Sequence, residues 1–144
     1  RHKGLEFSIN GRLTDKWNIF GGFSRMSAKQ EKTTKGTLDG IRVNGTSEWT
    51  AVLGLEYNPN EAWSVLGRAI YTGRSPVMNE KIWAPGYTIF DLGVTHKTHL
   101  GKIPAELSLM VNNVFDKDYW QVSRGNQVYL SLPRTFSFTA KLHF

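Results

Sequence analysis

The 144 residues carry 18 Lys and Arg against 12 Asp and Glu, a net charge of +6, and no cysteine. The missing thiols exclude a disulfide framework, a thiolate metal site and a cysteine nucleophile, and the small, dispersed basic excess excludes nucleic acid from the expected partners. Five Trp, five Tyr, eight Phe and 14 Gly suit an all-β chain better than a helical one.

The first residues, Arg-His-Lys, include no initiator Met, signal peptide or apolar run long enough for a membrane helix, so a mature form or a piece of a longer protein is expected. Residues 4–13 then alternate strictly, with Leu5, Phe7, Ile9 and Leu13 opposite Glu6, Ser8, Asn10 and Arg12. Alternation of this kind predicts a strand with one apolar and one polar face. Residues 17–28 read as a second, less regular strand. In residues 47–57, Trp49, Ala51, Leu53, Leu55 and Tyr57 stand against Glu48, Thr50, Val52, Gly54 and Glu56. Residues 63–73 read as a fourth strand, also less regular, with Arg68 opposite Val65, Ala69 and Tyr71 but Leu66 and Ile70 on its own face. In the fifth, residues 88–97, Phe90, Leu92 and Val94 oppose Asp91, Gly93 and Thr95. The sixth, residues 105–115, sets Leu107, Leu109 and Val111 against Glu106 and Ser108. The last, residues 134–144, sets Phe136, Phe138, Ala140, Leu142 and Phe144 against Thr135, Ser137, Thr139, Lys141 and His143.

Links of two kinds join these seven predicted strands. Residues 14–16, 58–62 and 98–104 are short and rich in turn formers, whereas residues 29–46, 74–86 and 116–133 are long. Short turns on one rim and long loops on the other are the layout of an outer-membrane barrel. Aromatic residues mark both rims: Trp17, Tyr57, Trp63 and Phe144 beside the short turns, Phe23, Trp49, Tyr71, Tyr87 and Phe115 beside the long loops. Amphipathic rings prefer the headgroup zone, which predicts two girdles. The charged face, with Glu6, Arg12, Glu48, Glu56, Arg68, Asp91, Glu106 and Lys141, is then a wet lumen. A soluble β-sandwich acting as a carbohydrate-binding module is the alternative. Open sheet edges are costly in lipid, so seven strands imply further strands outside this sequence.

The run Val111 to Tyr119 (VNNVFDKDY), the Leu132-Pro133-Arg134 lead-in to the last strand, the YTGRS stretch at Tyr71 and the terminal Phe144 together resemble the C-terminal end of the TonB-dependent outer-membrane receptors, particularly those for ferric siderophores. The resemblance covers nearly the whole chain. It implies that residues 1–144 form the C-terminal third of a β-barrel of about 22 strands, with the N-terminal plug and earlier strands lying outside this sequence. The implied function is active import of a ferric siderophore across the outer membrane of a Gram-negative bacterium, powered by the TonB complex through the absent N-terminal region. A porin-like passive barrel, or a receptor for haem, cobalamin or another metal chelate, is the alternative. No enzyme activity is expected. Phe144 resembles the terminal aromatic recognised by barrel-assembly machinery.

A siderophore brings its iron already wrapped, so the protein needs no metal ligand or bound cofactor, but aromatic faces and donors at a concave mouth. Candidate ligand-binding residues are Trp83 and Tyr87 in the middle long loop and Trp120, Arg124 and Tyr129 in the last. Lys29, Lys32 and Lys35 in the first are candidates for lipopolysaccharide phosphates or a solvated charge run. His96 and His99 would face opposite sides of a strand, which argues against a metal pair. Asp116 and Asp118 lack the spacing of a calcium loop, and the Asn-Gly of Asn44 and Gly45 reads as a turn.

Overall fold

The computed structural model describes residues 1–123 and 125–144. Seven strands form one antiparallel sheet: β1 (His2–Arg12), β2 (Trp17–Ala28), β3 (Trp49–Tyr57), β4 (Trp63–Thr72), β7 (Tyr87–Leu100), β8 (Ile103–Asn112) and β11 (Thr135–Leu142). Their spatial order β1-β2-β3-β4-β7-β8-β11 is that of an up-and-down meander. Four further strands of three residues each lie in the long loops. β5 (Ser75–Val77) pairs with β6 (Ile82–Ala84), and β9 (Trp120–Val122) pairs with β10 (Val128–Leu130). A single 3-10 turn, Thr34–Gly36, completes the regular structure of the described residues.

Register turns the alternation of the sequence into two continuous faces. The pairs Phe7↔Phe23, Leu55↔Gly67, Gly67↔Leu92, Leu92↔Val111 and Val111↔Phe136 lie on one face, together with Leu53, Val94, Leu109 and Phe138. Among the described residues nothing covers that face: Leu53 is 52%, Leu92 49% and Phe138 68% exposed. Among the described residues the buried apolar side chains are small or lie in loops and at strand ends, namely Ala28, Pro76, Val77, Ala84 and Ala105. So broad an apolar surface calls for an apolar partner. Strands whose backbone groups are paired within the sheet can lie against lipid on this face. Arg68, Asp91, Glu106 and Lys141 share the opposite face.

The short turns are built from local side-chain bonds. Thr14 Oγ1 accepts from the Lys16 and Trp17 amides at 3.3 and 3.2 Å, and Asn60 Oδ1 accepts from the Ala62 and Trp63 amides at 2.9 and 3.0 Å. The third link is tighter than the expected residues 98–104. β7 and β8 stay paired as far as Leu100↔Ile103, leaving only Gly101 and Lys102 between them. Gly101 supplies the positive φ of 66° that the tight turn requires. Pro104, a turn signal in the sequence, sits near the strand start, where a missing N–H is tolerated.

Aromatic rings gather at both rims of the apolar face. Trp17 stacks on Tyr57 at 4.6 Å and Trp63 on His96 at 4.0 Å beside the short turns. Nearer the long loops Phe23 stacks on Trp49 at 6.4 Å and Phe90 meets Phe115 edge-on at 5.3 Å, while Phe7, at the middle of β1, stacks on Phe23 at 5.8 Å. Tyr87 is a correction to the expected girdle. Its pairing with Thr72 puts it on the polar face, where its ring stacks on Tyr119.

Candidate ligand-binding site

The three long loops fold against one another above the sheet. The 73–86 loop carries the β5–β6 ribbon, whose tip passes through three successive left-handed residues, Met78, Asn79 and Glu80, with φ of 51°, 58° and 65°. Each such conformation costs a non-glycine residue roughly 1–2 kcal/mol, and bonds from neighbouring loops hold all three. The Met78 amide donates to Asn126 Oδ1 at 3.1 Å, the Asn79 amide donates to Asn44 Oδ1 at 2.9 Å, and Glu80 pairs with Arg42 at 3.5 Å. Arg42 also binds Glu48 at 3.0 Å, and Glu48 in turn holds Arg25 at 3.1 Å.

Gly45 is the wedge of this arrangement. Its φ is +73°, its amide donates to the Pro76 carbonyl at 3.0 Å, and a Cβ there would lie 2.9 Å from the Val122 carbonyl oxygen. Only glycine both turns left-handed and admits two loops so closely. The Asn-Gly turn expected from the sequence is present, and it also fastens the loops together.

Between the two ribbons lies a groove 530 Å³ in volume, lined by Val77, Ile82, Trp83, Pro85, Trp120 and Val128, with Asn126 beside them. Two of the candidate residues, Trp83 and Trp120, are therefore brought together. The guanidinium of Arg74 stands 4.4 Å from the centre of the Trp83 ring, a cation–π contact at the margin of the groove.

A second recess opens on the polar face below the loops, 340 Å³ in volume, with Arg68, Asp91, Asn113, Tyr119 and Pro133 in its lining. Buried Asp91 accepts from Arg68 Nε at 2.8 Å and from the Asn113 amide at 2.9 Å. Asn113, also buried, donates through Nδ2 to the carbonyls of Lys117 and Leu132 at 2.9 and 3.3 Å, and its Oδ1 accepts from the Lys117 amide at 2.9 Å. Asp116 accepts from the Arg134 amide at 2.7 Å, and the Arg134 side chain donates to the Val114 carbonyl. The last loop is thus pinned at its root. Tyr87 contributes to this region by stacking on Tyr119 with ring centres 3.9 Å apart. Burial, and then the neighbouring Tyr87, push the Tyr119 hydroxyl above its usual range.

Of the remaining candidates, Tyr129 pairs with Gln121 on the opposite side of its ribbon from Trp120 and Val128 and is not drawn into the groove. Arg124 lies outside the described residues. Phe144 follows β11 and is fully exposed. His96 is stacked on Trp63, and among the described residues no group of three or more His, Cys, Asp or Glu is placed to hold a metal ion. Sequence reasoning missed Tyr119, Asn113 and the Arg42 pairs as contributors. Asn113 and Tyr119 lay within the Val111 to Tyr119 run, whose regularity was the available signal.

An uncovered apolar face, a charged opposite face, girdled rims and folded loops on one side define a section of a transmembrane β-barrel wall. Residues 1–114 match the family described as TonB dependent receptor-like, beta-barrel, and the chain belongs to that family. It is a family of receptors, not of enzymes. The probable TonB-dependent siderophore receptor PiuA of Acinetobacter baumannii is 26% identical over 129 residues, 81% of this chain and 17% of that protein. The catecholate siderophore receptor Fiu of Escherichia coli K12 is 26% identical over 152 aligned positions, covering 100% of this chain and 20% of that one. The crystal structure of BauA, the ferric preacinetobactin receptor of Acinetobacter baumannii, superposes with a TM-score of 0.86 at 23% identity, over 98% of this chain and 22% of its own, a likeness of fold. The chain spans about a fifth of the length of the curated relatives it matches.

Proposed function

We propose that the chain is wall and loop of an outer-membrane receptor that imports a ferric siderophore into a Gram-negative bacterium. The observation that carries this reading is the pairing of two recesses on the long-loop side of the sheet, an indole-lined groove between the ribbons and a polar shelf of Arg68, Tyr87 and Tyr119 beneath it. Such a mouth suits a bulky, oxygen-rich chelate whose iron is already coordinated, because it offers rings and donors rather than metal ligands. The names of PiuA and Fiu support the same class of cargo. Energy comes from the TonB complex through a region outside this chain, and Phe144 serves recognition by the barrel-assembly machinery. Lipid and lipopolysaccharide surround the apolar face.

The test is uptake of radioactive iron by cells whose only receptor of this class is the full-length protein. A panel of hydroxamate, catecholate and mixed ferric chelates should contain at least one whose uptake requires both the receptor and TonB. Uptake that survives loss of TonB would point to a passive barrel, and transport of haem or cobalamin in place of every ferric chelate would replace the cargo.

A further inference from the structure

We infer that the groove between the β5–β6 and β9–β10 ribbons takes an uncharged apolar arm, alkyl or aryl, of an anionic chelate, and leaves the iron-bearing head outside it. The inference rests on the uptake reading above and names the substrate class as an amphiphile. Three observations carry it. The groove has the volume of a small-molecule site, 530 Å³. Among the described residues its lining holds no charged side chain, and Asn126, its polar member, already accepts the Met78 amide. Its lining stands on paired ribbons, β5 with β6 and β9 with β10, so the groove is formed before any ligand arrives.

A ferric centre with its oxygen donors would gain little in such a place, since polar groups entering it lose water and find almost no partners. A hydrocarbon arm loses nothing by leaving water. Charge completes the match. Arg74 stands on the Trp83 ring at the groove margin, a fixed cation beside an uncharged trough, which fits an anionic head joined to an apolar arm.

The test uses the full-length receptor in lipid nanodiscs and three ferric citrate-dihydroxamate chelates that share one head and carry no arm, an octanoyl arm or a phenylacetyl arm. Affinity is read by titration calorimetry. At least one armed chelate should bind about tenfold or more tighter than the armless one, the gain from burying roughly two methylene groups, and the arm with the larger gain identifies the chemistry. Trp120→Ala and Val128→Asp should each erase that advantage, so that armed and armless chelates bind the variant alike. Both positions are exposed on the ribbon, so either variant suffices if the other fails to fold. Arg74→Gln should weaken all three chelates alike. Equal affinity of armed and armless chelates, or an advantage that survives both groove variants, overturns the inference. If none of the three chelates binds, the uptake reading is still decided by the wider panel above. The iron-free octanoyl compound then decides the groove: binding that Val128→Asp abolishes upholds an apolar-arm site, and no binding refutes it.

Discussion

Replacing Asn113 by alanine should loosen the last long loop at its root. The side chain makes three hydrogen bonds, two from Nδ2 to the Lys117 and Leu132 carbonyls and one to Oδ1 from the Lys117 amide. A hydrogen bond contributes about 0.5–1.5 kcal/mol net. Lys117 and Leu132 are exposed, so water can replace part of what is lost and the low half of that range applies, about 2 kcal/mol for the three. Asn113 also holds a left-handed φ of 55°, a conformation asparagine tolerates better than alanine by roughly 1 kcal/mol. The sum is about 3 kcal/mol, which raises the open population of the loop about 100-fold. Trypsin cleavage after Lys117, measured on the full-length receptor folded in membranes, follows that population when reclosing is fast. Asn113→Gly separates the two contributions, since glycine removes the backbone cost and keeps the loss of bonds, giving about 2 kcal/mol. Cleavage of Asn113→Ala at the wild-type rate, or full protection restored by glycine, would refute the clamp.

Leu92→Arg on the apolar face should destabilise the full-length barrel by about 2–4 kcal/mol in denaturant titrations in lipid vesicles, whereas Thr95→Arg should forfeit only the 3.1 Å contact with Ser108, about 1 kcal/mol or less; equal effects would contradict the assignment of faces. A Cβ on Gly54 would run into the Phe20 ring, so Gly54→Val should cost about 1–3 kcal/mol in the same titration, and Phe20→Ala in the same chain should relieve much of it. Bonds from the Thr33 amide and then the Thr33 hydroxyl hold the Asp39 carboxyl below its ordinary value of 3.8. Its stabilising effect on the 33–39 turn is therefore present above pH 3.8 and lost as pH falls through the lower folded value. Amide exchange at Thr33, corrected for intrinsic acid rates, should show protection vanish there in the wild type and be absent throughout in Asp39→Ala.

Five of the seven strands were legible because each repeats a period of two with chemistry that differs sharply between faces, while residues 17–28 and 63–73 alternate less regularly. Leu92 beside Asp91, or Phe138 beside Thr139, leaves no doubt which way the pleat turns. The long loops were less legible. β5–β6 and β9–β10 are three-residue pairings whose stability comes from contacts between loops, so Trp83 and Trp120 could be picked out as exposed rings but not as neighbours. Tyr129 misled in the opposite direction, because its side of the ribbon depends on a register that no short sequence window defines. Tyr87 served two expectations at once, girdle and site, and its pairing with Thr72 removes it from the girdle. Asn113 shows why a motif can be recognised before it is understood: its partners at Leu132 and Asp91 lie about twenty positions away on either side.

Gly45 has a meaning beyond its own turn. By seating one loop against Pro76 of the second and Val122 of the third, it makes the three loops inherit one another's sequence. Transplanting a single loop from a relative would bring a surface cut for different neighbours, and the ribbons would part along the seam where the glycine sits. Loop exchange between receptors of this kind should therefore succeed as a cassette of all three, and drift in any one of them should be answered in the other two.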